Sequence, residues 1–136
     1  MRLPLFDRCL YPIQKFQSDS ERKLAIILDR DSLKWLKPAK GQFQIFYRWE
    51  FDHLEYQPDF VAETTDCIYL VECKARNEME DPQVIAKRDA ATEWCRHASE
   101  HAATYQGKPW KYLLIPHDLM AENMTLTGLV RMISLM

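Results

Sequence analysis

The sequence lacks several features that would place it outside the class of ordinary folded domains. Among its 136 residues there are only 3 glycines and 7 prolines, which excludes a collagen-like chain or a flexible linker. No apolar run approaches the roughly 18 residues that a membrane-spanning helix needs, so we expect no membrane partner. The amino-terminal segment has no uninterrupted apolar stretch of the signal-peptide type, which favours a cytoplasmic protein.

The chain also lacks a basic excess and a close pair of cysteines. Lys and Arg total 18 against 20 Asp and Glu, and the resulting net charge of −2 argues against strong autonomous binding to nucleic acid. The net charge does not exclude a nucleic-acid enzyme in which neighbouring domains or a local basic face bind the nucleic acid. None of the cysteines has the CxxC spacing of a zinc site, and we expect small buried hydrophobic side chains: Cys9, Cys67, Cys73 and Cys95.

What the chain does contain is typical of one folded domain. Hydrophobic residues make up 47% and charged residues 28%, which excludes wholesale disorder. The length predicts a single domain covering residues 1–136, with a core that needs no disulfide or metal.

The hydrophobic pattern predicts an α/β fold with the element order αβββαβ. A helix is expected over 20–30, continued by a helical turn through 36 and stopped by Pro38. Three strands, expected to form an antiparallel meander, follow at 43–49, 55–63 and 67–75. A long helix begins at Pro82 with Asp81 as its cap, a strand covers 110–116, and residues 118–136 form one or two short helices. The expected architecture is a mixed sheet flanked by helices.

The sharpest feature is Pro58-Asp59 followed by Glu72-Cys73-Lys74. Glu72 and Lys74 are two apart on a predicted strand, so their side chains leave the same face. Asp59 lies on the preceding strand, within reach of Glu72. Two carboxylates beside a lysine predict a Mg²⁺ site, in which the ammonium positions water or stabilises charge on a phosphate. For the E-x-K spacing alone, the alternative is an ordinary ion pair at a strand end.

These residues resemble the PD-(D/E)xK nuclease superfamily, and most closely the C-terminal endonuclease domain of type III restriction enzyme Res subunits and related DEAD/DEAH-helicase-fused nucleases. The resemblance covers about residues 14 to 116 and includes YQPDF, IYLVECKA and WKYLLIP. It implies a restriction-endonuclease-like fold and a Mg²⁺-dependent DNA endonuclease, with Mn²⁺ as a substitute. Ala75 departs from the pattern, because such domains often carry glycine there.

The resemblance also implies roles for individual residues. Asp59, Glu72 and the backbone carbonyl of Cys73 would bind the metal, Lys74 would orient the attacking water, and Glu21 of the first helix would support the site. Glu21 also has a simpler interpretation as a capping residue, because a carboxylate is favoured in the first turn of a helix.

Several other residues are weaker candidates. Lys87 lies on the apolar stripe of the long helix. Its ammonium group either reaches solvent, with the methylenes along the apolar surface, or contacts the scissile phosphate or a metal-bound water. Gln83, near the start of the same helix, is a weaker candidate for the same contact. Arg76, Lys37 and Lys40 are candidate contacts to the DNA backbone, because a phosphate requires a cation but no special geometry.

The implied partners are double-stranded DNA, a helicase or translocase module on the same or a partner chain, and a methyltransferase subunit that supplies specificity. A dimer would allow both DNA strands to be cut. One alternative function is a non-catalytic DNA-docking or assembly module of the same fold.

A further alternative is a zinc peptidase. His97 and His101 match the H-x-x-E-H pattern, with two histidines on one helix face. Zinc would need another protein ligand, for which the tail offers His117, Asp118 and Glu122.

Overall fold

The computed structural model describes residues 2–3, 7–9, 14–15 and 18–135. Its helices are α1 (Asp19–Asp31), α2 (Pro82–Ala103) and α3 (Leu126–Ser134). Its strands are β1 (Arg2–Leu3), β2 (Gln14–Lys15), β3 (Lys34–Leu36), β4 (Ile45–Trp49), β5 (Asp52–Tyr56), β6 (Phe60–Glu63), β7 (Ile68–Lys74) and β8 (Trp110–Pro116). The predicted α/β class is confirmed.

The main sheet has four strands in the order β3-β6-β7-β8. The first three are antiparallel neighbours, whereas β8 is parallel to β7. A parallel neighbour requires a crossover connection, and α2 makes that connection. Strands β4 and β5 form a separate antiparallel hairpin, and β1 pairs with β2.

Three details of the predicted elements are wrong. The first strand of the main sheet is β3, where the sequence predicts a helical turn, and the predicted strand 43–49 belongs instead to the separate hairpin. The predicted strand 55–63 is divided into β5 and β6. Pro58 lies at the break, and a proline cannot donate a ladder hydrogen bond in the interior of a sheet.

The elements around the motif follow the prediction more closely. Strand β7 falls inside the predicted 67–75, and β8 matches the predicted 110–116. Helix α2 begins at Pro82, and the Asp81 side chain caps it by accepting from the backbone N–H of Gln83. The tail contains one helix, α3, preceded by a 3₁₀ turn at His117–Leu119.

The main sheet separates two hydrophobic cores. On one face, α1 and α3 pack against the sheet through residues that include Leu24, Ile27 and Leu129. On the other face, the β4–β5 hairpin and α2 pack on Val61 and Leu70. Because side chains alternate along a strand, Val71 belongs to the first core while Leu70 and Glu72 lie on the hairpin side.

Two further observations concern the described ranges as a whole. None of their helices combines the length and apolar character that crossing a membrane requires. The thiols of Cys67, Cys73 and Cys95 form no disulfide and are buried, as the sequence predicts, whereas Cys9 is only partly buried.

Candidate active site

The register of β6 and β7 brings the two carboxylates of the motif together. Phe60 pairs with Val71, so Asp59, one residue before β6, lies opposite Glu72. The backbone N–H of Asp59 donates to Glu72 Oε2 at 3.2 Å, and the backbone N–H of Cys73 donates to Asp59 Oδ2 at 3.0 Å. The Glu72 carboxylate is therefore held by the backbone of Asp59, and the Asp59 carboxylate is held by the backbone of Cys73, the residue after Glu72.

Glu72 is oriented by further contacts. Its side chain is buried, and the Tyr56 hydroxyl donates to Oε2 at 2.5 Å. The hydroxyl oxygens of Tyr56 and Tyr112 are 2.9 Å apart, which extends the network to β8. The other oxygen, Oε1, lies 3.8 Å from Lys74 Nζ. Glu72 is thus fixed through Oε2 while Oε1 faces the ammonium.

The environment disfavours negative charge on both carboxylates. Burial raises the pKa of Asp59, against the lowering effects of the Cys73 N–H and of the charges on Lys37 and Lys74. Burial and then the charge of Asp59 raise the pKa of Glu72 to about 7, although the Tyr56 hydrogen bond opposes this shift. A bound cation would relieve this electrostatic cost.

The pair opens into a cavity of about 260 Å³. Lys74, Glu21 and His117 line it together with Ser18 and Glu78. His117 follows β8 directly, and β8 ends with Pro116 beside Lys74 in the parallel register. From the sequence, His117 is a candidate only for a zinc site, and it is the parallel pairing of strand 110–116 with β7 that places it here.

Glu21 and Lys37 belong to the same neighbourhood. Ser18 caps α1 by accepting from the backbone N–H of Glu21, and the buried Glu21 carboxylate forms an ion pair with Lys37 Nζ. Burial lowers the pKa of Lys37, while the charges of Asp59 and Glu72 act in the opposite direction. Lys37, predicted from the sequence as a DNA contact, is therefore electrostatically part of the carboxylate site.

The remaining candidates lie outside the cavity wall. Lys87 Nζ lies 5.9 Å from the ring centre of Tyr47 and 6.0 Å from that of Tyr56, and Lys87 does not line the carboxylate cavity. The Gln83 amide donates to the Tyr47 hydroxyl at 2.9 Å, away from the carboxylates. Arg76 forms an ion pair with Asp118, and Lys40 is exposed in the turn before β4.

The turn after the motif accommodates Ala75 without strain. Its φ of −62° and ψ of 146° are extended-backbone values that any residue adopts. The absence of glycine at this position therefore leaves the turn into Arg76–Glu78 unchanged.

The donor set fits a hard divalent cation. Mg²⁺ is typically held by one or two carboxylates and keeps several waters, so Asp59, Glu72 and a backbone carbonyl would suffice. Across the described residues, no three His, Cys, Asp or Glu side chains are grouped closely enough to hold a metal on their own. Asp59, which lines the cavity, accepts no hydrogen bond at Oδ1 from the described part of the chain.

The H-x-x-E-H histidines form no comparable site. His97 and His101 are exposed on α2. His97 Nε2 lies 3.1 Å from Glu93 Oε1, and the His101 ring packs edge-on against Tyr105. Among the described residues, no third ligand joins them. The tail candidate His117 lies instead at the Asp59–Glu72 cavity.

The raised pKa of Glu72 predicts a specific pH dependence of folding. Because the folded-state pKa lies above the ordinary 4.5, this group favours folding below about pH 4.5, and its contribution is lost as pH rises to about 7. We expect Glu72→Gln to stabilise the metal-free protein at pH 8, relative to wild type, by on the order of 3 kcal/mol, with little difference at pH 4. Urea unfolding in EDTA across this range measures the difference.

The exposed Glu80 provides the matched control for that experiment. Glu80→Gln should change the free energy of unfolding by less than about 0.5 kcal/mol at any of these pH values. A stability difference between wild type and Glu72→Gln that does not vary with pH would contradict the assignment of a raised pKa.

The cavity with Asp59, Glu72 and Lys74 is the strongest candidate for a functional site in the described ranges. Its two carboxylates could hold a cation, with the Lys74 ammonium group beside it. When compared with models of known protein families, with curated proteins and with solved structures, the chain matches none of them.

Proposed function

We propose that the protein is a Mg²⁺-dependent DNA endonuclease with its active site at this cavity. The observation that supports it best is the direct juxtaposition of Asp59 and Glu72, with Lys74 Nζ 3.8 Å from Glu72 Oε1. Hydrolysis of a phosphodiester needs stabilisation of negative charge on phosphate and an oriented water. The choice of DNA as substrate comes from the resemblance of the motif to the PD-(D/E)xK nucleases.

The finer fold is part of the proposal. Helix α1, strands β3, β6 and β7, helix α2 and strand β8 follow each other in the αβββαβ order of a restriction-endonuclease-like core. In this interpretation the β4–β5 hairpin is an insertion between the first two core strands. The parallel pairing of β8 with β7 and the antiparallel pairing of the other strands agree with a mixed sheet.

Each site residue has a role in the proposed reaction. Asp59, Glu72 and the Cys73 carbonyl would hold Mg²⁺, which supplies Lewis-acid polarisation of the phosphate when bound. Lys74 donates a hydrogen bond that orients the attacking water and places a positive charge beside the phosphate. The Tyr56 hydroxyl and two backbone N–H groups hold the carboxylates in place before substrate arrives. Glu21 keeps the Lys37 ammonium beside the site.

The protein would act as the nuclease module of a larger system. The resemblance suggests a DNA helicase or translocase, on the same or a partner chain, and a methyltransferase subunit for specificity. The same fold without catalysis, used for DNA docking or assembly, is the alternative outcome of the test.

The test is cleavage of supercoiled plasmid DNA by the purified protein. Nicked or linear product should form with Mg²⁺ or Mn²⁺ and not with EDTA. The Asp59→Asn protein is the negative control for a contaminating nuclease. Saturable magnesium binding without cleavage, in the presence of a translocase partner as well, would favour the docking module instead.

We further expect the isolated protein to bind duplex DNA weakly, with a shallow dependence on salt. Many surface cations are already paired with acids: Arg22 with Asp19 and Glu122, Arg88 with Asp89, and Arg96 with Glu93 and Glu100. Each phosphate contact adds about 0.9 to the slope of log K against log salt, so a slope below about 4 is expected.

Fluorescence anisotropy of a labelled duplex between 50 and 200 mM salt, roughly the range over which such contacts are resolved, measures this slope. A slope that corresponds to about eight or more contacts would contradict the expectation and indicate a strongly basic groove.

A further inference from the structure

A second and larger cavity lies next to the carboxylate site. Its volume is about 540 Å³, within the roughly 300–1,000 Å³ that small-molecule sites occupy. Tyr112 and Leu114 of β8 form its floor, and Met79 and Ile133 add apolar wall. Apolar and aromatic side chains thus make up one part of its lining.

Two arginines give the cavity a positive edge. Arg76 and Arg88 both line it, against one acidic residue, Glu80. Arg76 uses Nε and Nη2 to bind Asp118, and Arg88 uses the same two atoms to bind the adjacent Asp89. Within the described part of the chain, neither Nη1 atom has a hydrogen-bond partner. Both ion pairs are solvent-exposed, and such pairs contribute little, so the guanidinium groups can exchange partners.

Hydrogen bonds connect the wall of this cavity to the candidate active site. Tyr112, in its floor, lies 2.9 Å from the Tyr56 hydroxyl, which in turn donates to Glu72 at 2.5 Å. The 3₁₀ turn Arg76–Glu78 forms the other partition, because Arg76 lines this cavity and Glu78 lines the carboxylate cavity. A ligand in this cavity would contact Tyr112, which is connected to Glu72 through the hydroxyl group of Tyr56.

We propose that this cavity binds a nucleoside monophosphate unit, with the base or sugar against Tyr112 and Leu114 and the phosphate on Arg76 and Arg88. A guanidinium matches the geometry of a phosphate, and an apolar wall takes the ring. The same chemistry is offered by an unpaired nucleotide of the DNA strand next to the cleaved phosphate or by a free nucleotide. Only the first source rests on the proposed nuclease function.

Isothermal titration calorimetry of the full chain with dAMP, in EDTA at low salt, tests the site. We expect saturable binding, at least tenfold tighter than that of adenosine or of inorganic phosphate alone, because the ring and the anion are held by different walls. An absence of saturable dAMP binding, or equal affinity for inorganic phosphate, overturns the proposal.

Charge-removing variants locate the binding. Arg88→Ala and Arg76→Ala should each weaken dAMP at least tenfold. Arg96→Ala, on an exposed part of α2, is the matched control and should bind as wild type does. Circular dichroism confirms that each variant is folded. Unchanged dAMP affinity in both cavity variants rejects this site.

Two oligonucleotides identify the source of the nucleotide. A duplex with one unpaired adenosine that binds at least tenfold tighter than the perfect duplex, with the gain lost in Arg88→Ala, supports the substrate strand. Equal binding of the two duplexes rejects the substrate strand and leaves the free nucleotide. All these measurements are made without metal or cleavage, so a protein that binds dAMP but cuts no DNA refutes only the nuclease proposal.

Discussion

Replacing Asp59 with asparagine is expected to abolish Mg²⁺ binding and DNA cleavage while leaving the metal-free protein as stable as wild type or more stable. Asparagine keeps an acceptor for the Cys73 N–H and removes the charge that contributes to the raised pKa of Glu72. Cleavage should fall at least about a thousandfold, because a metal supplies several kcal/mol of transition-state stabilisation and each tenfold is about 1.4 kcal/mol.

Calorimetric melts with and without Mg²⁺ measure the structural half of this prediction. A ligand that binds only the folded state at about 100 times its Kd stabilises by about 2.7 kcal/mol, so wild type should melt later with metal. The Asp59→Asn protein should not respond. Asp66→Asn, in the exposed turn before β7, is the matched control and should respond as wild type does.

A particular result would overturn the metal-ligand role. If Asp59→Asn melts much earlier than wild type in EDTA, the carboxylate is a structural hydrogen-bonding group and the site loses its main ligand. The raised pKa of Asp59 argues for the opposite outcome, because its surroundings favour the uncharged form.

The second large effect is expected from Lys74→Ala. DNA cleavage should fall about 100- to 1,000-fold, which is the usual loss when a single group that stabilises transition-state charge is removed. Folding and Mg²⁺ affinity should stay close to wild type, because the ammonium is not a metal ligand. Single-turnover cleavage rates and Mg²⁺ titrations of the same preparation separate these effects.

Lys111→Ala provides the control for this substitution. Lys111 lies on the neighbouring strand β8 with an exposed side chain, so its loss should leave cleavage unchanged. A Lys74→Ala protein that cleaves at the wild-type rate would remove the assigned role of Lys74. A protein that instead loses Mg²⁺ binding would indicate that Lys74 organises the carboxylates rather than the reacting water.

The pairing of the motif could be predicted from the sequence because its signals are local. Asp59 and Glu72 are 13 positions apart, on two strands joined by the short polar turn Thr64-Thr65-Asp66. A tight connection makes antiparallel neighbours of such strands, and the two-residue period of a strand puts Glu72 and Lys74 on one face. The start of α2 could also be predicted from the sequence, because Asp81 is a typical helix cap and Pro82 is typical of the first turn.

The choice of strands for the main sheet could not be predicted from local patterns. Residues 43–49 carry the stronger strand pattern, yet the three-residue β3 takes the place beside β6. Trp35 is buried there against Phe60, and that contact between distant parts of the chain outweighs the local preference. The two-residue period of a strand shows which of its side chains share a face. It does not show which other segment of the chain packs on that face.

The α/β class, most of the elements and the proximity of Asp59, Glu72 and Lys74 could be predicted from the sequence alone. The surroundings of these three residues depend on long-range packing. Tyr56 and His117 reach the site from the hairpin and from the end of β8. The position of His117 depends on the parallel pairing of β8 with β7 after the whole of α2, so it follows from how the layers pack, and no spacing rule along the chain encodes it. Tyr56 is close to Asp59 in sequence, but its hydrogen bond to Glu72 depends on how the β4–β5 hairpin packs on the sheet.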